Sequence, residues 1–282
     1  FEFLGLICRC RDEFFIKEFC DYYLKQGVDD IYILDDESEN QSIYDFLNNN
    51  KYKNVFLKKC SRQYKNALTA TNYLNTNDES NKLFYNIKHK YEWIIYVDVD
   101  EFIVTKKNFS KTIRDELNLI SKIFPEKQLI LAPWVMMSGI KNKKNPKSVL
   151  NSITYRWDHD IKHPYPVKKF DCRYFETFCK SIFKPGHFDH IRDHVPVCNN
   201  RTPTYYNGVD LRPSRLKDDK FLKLRNHDIN SGYFLCYHYR YISEEHARQK
   251  LKTNGWYIND NYTLKDLQAS YAEIYDDTFL RK

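Results

Sequence analysis

The sequence predicts an α/β fold with a mostly parallel central sheet flanked by helices and a loop-rich second half. Three observations carry that prediction. Within Tyr91 to Val97, Trp93-Ile94-Ile95-Tyr96-Val97 is an unbroken aromatic and β-branched run of strand length, the mark of a strand buried on both faces, and it ends in Asp98-Val99-Asp100-Glu101. Upstream, short apolar runs alternate with segments of helical spacing, the pattern of βαβ units with right-handed crossovers. From about residue 150 to about residue 243 helical periodicity disappears, and His, Pro, Tyr and Arg accumulate.

Taken in order, Phe3 to Cys8 reads as the first strand. Phe15, Ile16, Phe19, Cys20, Tyr22, Tyr23 and Leu24 recur at helical spacing over Asp12 to Gln26, with Asp12 as N-cap and Gly27 as the stop. Ile31 to Leu34 is a second strand ending in Asp35-Asp36-Glu37-Ser38, followed by a short helix and a strand at Val55 to Leu57. Residues 62–90 read as helical with an Asn-rich break. After the acid-ended strand come an amphipathic helix closed by Pro125 and a buried strand from Leu129 to Val135. Lys141 to Lys147 reads as a mobile surface loop. Thr154–Trp157, Phe178–Phe183 and Tyr233–His238 read as strands joined by long loops, which in a compact domain carry a site or are disordered. Ser243 caps a helix to about Asn254, and Leu264 to Tyr275 reads as a last amphipathic helix.

With 282 residues the chain is long enough for one large domain, and 23 Tyr with 19 Phe supply ample core. The net charge of +7 suits anionic substrates, but the Lys residues are dispersed, which argues against a nucleic-acid partner. No apolar run approaches the ~20 residues of a membrane span. The Lys/Asn-rich, Gly-poor composition points to an AT-rich genome, bacterial or viral, for which a soluble cytoplasmic domain is the favoured expectation. A luminal setting stays open should a targeting segment have been removed, as the start at Phe1 allows. The eight Cys fit no zinc spacing; Cys8 and Cys10 read as packing thiols, and Cys172, Cys179 and Cys198 leave room for a disulfide in an oxidising compartment.

Asp98 and Asp100 are two apart, so on an extended chain they point the same way. Two converging carboxylates at the end of a buried strand call for a cation, and oxygen-only ligands favour Mg²⁺ or Mn²⁺ with positions left for substrate phosphates. Asp35 and Asp36 end another strand on the same rim. His238, at the end of a strand, is a candidate third ligand, with His194 of the His187-His190-His194 segment as the alternative. Lys180, Lys184 and Arg240 are candidates to offset diphosphate charge. Trp134 and Trp157 offer sugar-stacking surface, with core packing as the competing role.

Arg11-Asp12-Glu13 before a helix, the Gly27-Val28 turn, the strand ending Asp35-Asp36-x-Ser38, Trp93-x-x-x-x-Asp98-Val99-Asp100-Glu101-Phe102, Lys180-Ser181-Ile182-Phe183-Lys184-Pro185…His194 and His238-Tyr239-Arg240-x-x-Ser243…Lys250 together resemble the family 2-like and family 92-like glycosyltransferases. The resemblance runs from about residue 4 to residue 255. It implies a single domain of the GT-A type over 1–282, with a nucleotide-sugar-binding half (1–135) and an acceptor-side, metal-completing half (136–282). It implies an inverting, Mn²⁺- or Mg²⁺-dependent hexosyltransferase that moves a sugar from a nucleoside-diphosphate sugar, UDP-sugar foremost, to a hydroxyl of a glycan, protein or lipid. Asp35 or Asp36 and the loop with Arg9, Arg11 and Asp12 would touch the nucleotide, Asp98 would contact ribose or metal, Asp100 would hold the metal and His238 would complete its shell; Lys180 and Arg240 are nucleotide-sugar candidates by their charge. One departure is Asp12, an acid where the group usually has an amide. No motif fixes the general base, for which Asp193, Glu176 and Asp171 are nominees. The rival readings are a nucleotidyltransferase or metal phosphoesterase using the same acids, and a non-catalytic carbohydrate-binding protein.

Overall fold

The computed structural model describes residues 2–60, 79–163, 176–214, 221–254, 257–258 and 260–282. Its core is the sheet run β3-β2-β1-β4, formed by β1 (Glu2–Cys10), β2 (Asp30–Asp35), β3 (Val55–Lys59) and β4 (Tyr91–Asp98), all parallel. Register places Cys10 beside Asp35 and Arg9 beside Asp98, so both acid-ended strands finish on one rim, as expected. The sheet continues from β4 through β8 (Glu176–Phe183) to β6 (Leu129–Ser138), then β7 (Tyr155–Arg156) and β12 (Ile274–Tyr275). β8 runs antiparallel to β4, to β6 and to β10 (Phe221–Lys223), and β9 (Tyr206–Asn207) lies parallel beside β6. The whole is a curled, mostly parallel sheet flanked by helices.

Helix α1 (Ile16–Lys25) buries Ile16, Phe19, Cys20, Tyr22 and Tyr23, the stripe expected from the spacing. Gly27 ends it at φ +86, and a Cβ there would meet Arg114 Cβ at 2.7 Å. Asp12, however, is not the N-cap; Phe15 holds that position. Asp12 sits in the left-handed region at φ 52 and is tied to the loop after β2 instead. Its N–H donates to Ser38 Oγ (2.8 Å) and its Oδ1 accepts from Asn40 N (2.9 Å).

After β4 the chain turns at Val99-Asp100 and leaves the sheet plane as β5 (Glu101–Val104). The two acids are therefore not on one extended segment. β5 pairs antiparallel with β11 (Leu235–Tyr241), which also lies parallel to β6. His238 thus stands within a strand longer than expected, directly opposite Glu101. Tyr23 fastens this corner: its hydroxyl donates to Glu101 O and accepts from Ile103 N, both at 2.9 Å.

Helices α2 (Glu79–Ile87) and α3 (Ile113–Ile123) cover the sheet with Leu83, Phe84, Ile87 and with Ile113, Leu117, Ile120. The rest of the 62–90 segment expected to be helical, up to residue 78, lies outside the described residues. The helix from Glu244 to Thr253 is capped by Ser243, as its sequence indicates. Its first turn anchors the basic loop at 141–147, which is not a loose segment: Glu244 N donates to Asn142 O (3.0 Å) and Asn145 N to Glu245 Oε2 (2.9 Å). The expected helix from Leu264 to Tyr275 is also corrected. Only Leu264–Leu267 is helical, and Ile274–Tyr275 is a strand on β7. Tertiary pairing wins there: Glu273 N donates to Arg156 O (3.0 Å) and Asp276 accepts from Arg156 Nε (3.2 Å). Cys179 and Cys198 are free thiols, and Cys172 lies outside the described residues. Among the described residues no helix is long and apolar enough to cross a membrane.

Buried His159 accepts from Met136 N through Nε2 (3.2 Å), which requires a neutral ring, and burial pushes it down to about 3. A base depressed on folding adds stability that is complete above its unfolded value of about 6.5 and is lost as pH falls below it. Urea denaturation should show the unfolding free energy falling by up to ~1.4 kcal/mol per pH unit from this group between pH 6.5 and 5. His159→Gln, which keeps an acceptor but cannot titrate, should flatten that slope.

Candidate active site

The rim where β1, β2 and β4 end carries a network of buried charges. Arg9, at the end of β1, donates Nε to Asp98 Oδ1 (2.8 Å) and pairs Nη1 with Asp193 Oδ1 (2.7 Å). Lys180 reaches Asp98 Oδ2 (2.9 Å), the Asp193 carbonyl (2.9 Å) and Glu101 Oε2 (3.3 Å). Because β8 is antiparallel to β4, with Ser181 beside Tyr96, this lysine arrives next to the acid end of β4. The same geometry carries Lys184 to the opposite rim, where it caps Pro125 O, so Lys184 takes no part in the site. Asp98 N donates to Glu101 Oε2 (2.7 Å), which closes the acid turn on itself.

The second half of the network centres on Asp100. Lys250, from the helix capped by Ser243, is 2.7 Å from its Oδ2, and His238 Nε2 is 3.7 Å from the same atom. Lys250 also faces Glu13 (3.5 Å), whose other oxygen bonds His246 (2.5 Å). Tyr239 N donates to the Asp100 carbonyl (2.8 Å).

Burial alone would raise the Asp98 carboxyl, but the Arg9 and Lys180 charges outweigh it and hold it well below its usual range. Asp100 is likewise held low by Lys250 and His238 against the pull of burial. Glu101, with Oε1 buried and unpartnered, is pushed up to about 8, first by burial and then by the charges of Asp98 and Asp100, with Lys180 opposing. Burial lowers His238 more than Asp100 raises it. Burial and Lys180 push His194 down to about 4.

Of the nucleotide-facing candidates, Asp35 is closed within the protein: Ser38 N, Tyr44 OH and Gln41 Nε2 donate to its two oxygens. That leaves Asp36, partly exposed and 3.4 Å from Arg11, as the outward acid of the pair. Burial raises the Asp36 carboxyl against the Arg11 charge. Arg240 lies within electrostatic reach of His238 and Asp266. Of the proposed bases, Asp193 stands in the network, Glu176 opens β8, and Asp171 lies outside the described residues. Trp157 packs into the core against His163 and Tyr271. Glu101 and the trio Glu13, His246 and Lys250 escaped assignment. Their signal was His246 and Lys250, four apart and so on one helical face.

A dication fits part of this set. Asp100 Oδ2 and His238 Nε2 are 3.7 Å apart. Both would reach one ion at about 2.1 Å once Lys250, which takes the same Asp100 oxygen at 2.7 Å, is displaced from it, with diphosphate and water as the remaining ligands. Asp98 does not offer the same opening, since Arg9 and Lys180 hold both of its oxygens. No group of three or more His, Cys, Asp or Glu is placed to hold a metal among the described residues.

Comparison with curated proteins returns no match. Among solved structures, S. aureus TarS 1–349 is similar at a TM-score of 0.36 and 13% identity, over 65% of this chain and 47% of that one. The same TarS fragment in complex with UDP-GlcNAc is similar at a TM-score of 0.35 and 12% identity, over 77% and 60%. HddC from Yersinia pseudotuberculosis is similar at a TM-score of 0.36 and 9% identity, over 82% and 97%. The chain therefore spans about half the length of the first TarS structure. A family model, glycosyltransferase family 92, matches residues 13–275, nearly the whole chain, and takes in Asp98, Asp100, Lys180, Asp193, His238 and Lys250 but not Arg9. The chain belongs to glycosyltransferase family 92.

Proposed function

We propose that this protein is a metal-dependent, inverting hexosyltransferase that uses a UDP-sugar and delivers the sugar to a hydroxyl of a glycan, protein or lipid. The observation that carries the reading is the pairing of Asp100 with His238 beside a cation-clasped Asp98, on the rim where the parallel strands end. Ligands of open α/β sheets bind at that rim. Asp100 and His238 would hold Mn²⁺ or Mg²⁺, which when bound supplies Lewis-acid neutralisation of the leaving diphosphate. Arg9 and Lys180 fix the Asp98 carboxylate in place, so the rim needs little reorganisation when charge develops on the nucleotide. Arg11 and Asp36 meet the nucleoside. Asp193, kept ionised by Arg9 against burial, takes the acceptor proton at Oδ2 as the new glycosidic bond forms.

Isothermal titration tests this. Wild-type protein should bind UDP in the presence of Mn²⁺, and EDTA or His238→Ala should weaken binding at least about tenfold. If no nucleoside diphosphate binds with Mn²⁺ present, the reading fails. Pyrophosphate release without sugar transfer would instead mark a nucleotidyltransferase.

A further inference from the structure

One face of the sheet carries an uninterrupted row of side chains between the two halves of the acid network. Lys180 and Phe178 are two apart on β8, so they share a face. Register sets Ala132 beside Lys180, and Trp134, two residues on, touches Phe178 with ring centroids 5.3 Å apart. On the other side Trp134 lies beside Cys236, and its ring is 4.2 Å from His238. His194 covers the row, stacked on Phe178 at 5.0 Å and edge-on to Trp134 at 5.6 Å. The row therefore begins at the lysine on Asp98 and ends at the histidine on Asp100.

Two polar atoms in this aromatic row are set for a partner from outside. The Trp134 side chain is nine-tenths buried, and its Nε1–H, a donor that cannot accept, has no hydrogen-bond partner among the described residues. His194 donates Nδ1–H to the Cys179 carbonyl (2.8 Å), which leaves Nε2 as an acceptor. An apolar aromatic floor with a few placed polar groups is the make-up of a small-molecule site. A pyranose presents what this one lacks: an apolar ring face with hydroxyls that both donate and accept.

We propose that Phe178, Trp134 and His194 form the shelf for the hexose ring of the donor, with the Trp134 indole N–H donating to one ring hydroxyl and His194 Nε2 accepting from another. This rests on the nucleotide-sugar reading above and adds the subsite that chooses the sugar. The shelf lies between Lys180, which holds Asp98, and His238, which faces Asp100, so a hexose on it would adjoin both acid groups.

The test compares UDP with UDP-glucose, UDP-galactose and UDP-N-acetylglucosamine on wild-type, Trp134→Phe and His194→Phe proteins, by titration with Mn²⁺. The readout is the ratio of UDP-hexose to UDP affinity, which a general loss of folding does not move. Wild type should favour one hexose over UDP alone. Trp134→Phe, which keeps the ring but removes the N–H, should cut that ratio about fivefold to tenfold, the worth of one hydrogen bond. His194→Phe should cut it by a similar factor. An unchanged ratio in both variants, or a wild type that binds UDP but gains nothing from any hexose, overturns the shelf and leaves the nucleotide reading standing. A wild type that binds no UDP overturns both. A ratio that holds while the acceptor KM rises assigns the shelf to the acceptor and overturns the donor assignment.

Discussion

Asp100→Asn should lower sugar transfer by about 10²–10³-fold, the usual loss when a charge-stabilising group is removed from a reacting centre. The amide keeps the shape of the carboxylate but neither balances Lys250 nor would serve the proposed dication as a strong ligand with His238. Lys250 then has only Glu13, at 3.5 Å, so the variant should also be destabilised by ~1–3 kcal/mol. The two effects separate in the double variant with Lys250→Met, which removes the stranded cation. Its urea midpoint should recover while its transfer rate stays low. Recovery of both would show that Asp100 acts on stability alone.

Lys180→Met should have the largest effect on stability, ~3–5 kcal/mol, because it breaks a buried ion pair and leaves the surviving charge uncompensated. Lys180 is 1% exposed and touches Asp98, Glu101 and the Asp193 carbonyl at once. Burial opposes its charge, yet Asp98 and Glu101 hold its ammonium well above the usual lysine range. Arg cannot replace it, since a planar fork in a closed space built around a point charge forces its neighbours apart. Lys180→Arg should therefore fall well short of wild type in a denaturant titration. If Lys180→Met unfolds at the wild-type midpoint, the network is not a unit.

The sheet rim was legible in the sequence because its strands are written as unbroken apolar runs that end in acids. Asp98 and Asp100 could be placed at that rim for that reason. What the sequence concealed was the partnering. Lys180 and Lys184 look alike in the chain, and only the antiparallel run of β8 sends one to Asp98 and the other to Pro125. Asp12 reads as a helix cap by residue type, yet the loop at Ser38 and Asn40 claims its polar atoms. Asp35 and Asp36 are adjacent and chemically equivalent, and Tyr44 and Gln41 decide which is sealed in. The helical spacing of Leu264 to Tyr275 was real but local, and it gave way to the partners Arg156 offers at Glu273 and Asp276.

The bond between Glu13 and His246 joins residues 233 apart. A chain leaving the ribosome can pair its first four parallel strands early, since those contacts are nearer in sequence. Lys250, however, is synthesised long after Asp100, and until it docks the acid corner lacks its cation. Completion of the acid corner is therefore a late event of biogenesis: the scaffold comes first, and the helix Glu244–Thr253 delivers the cation it lacks.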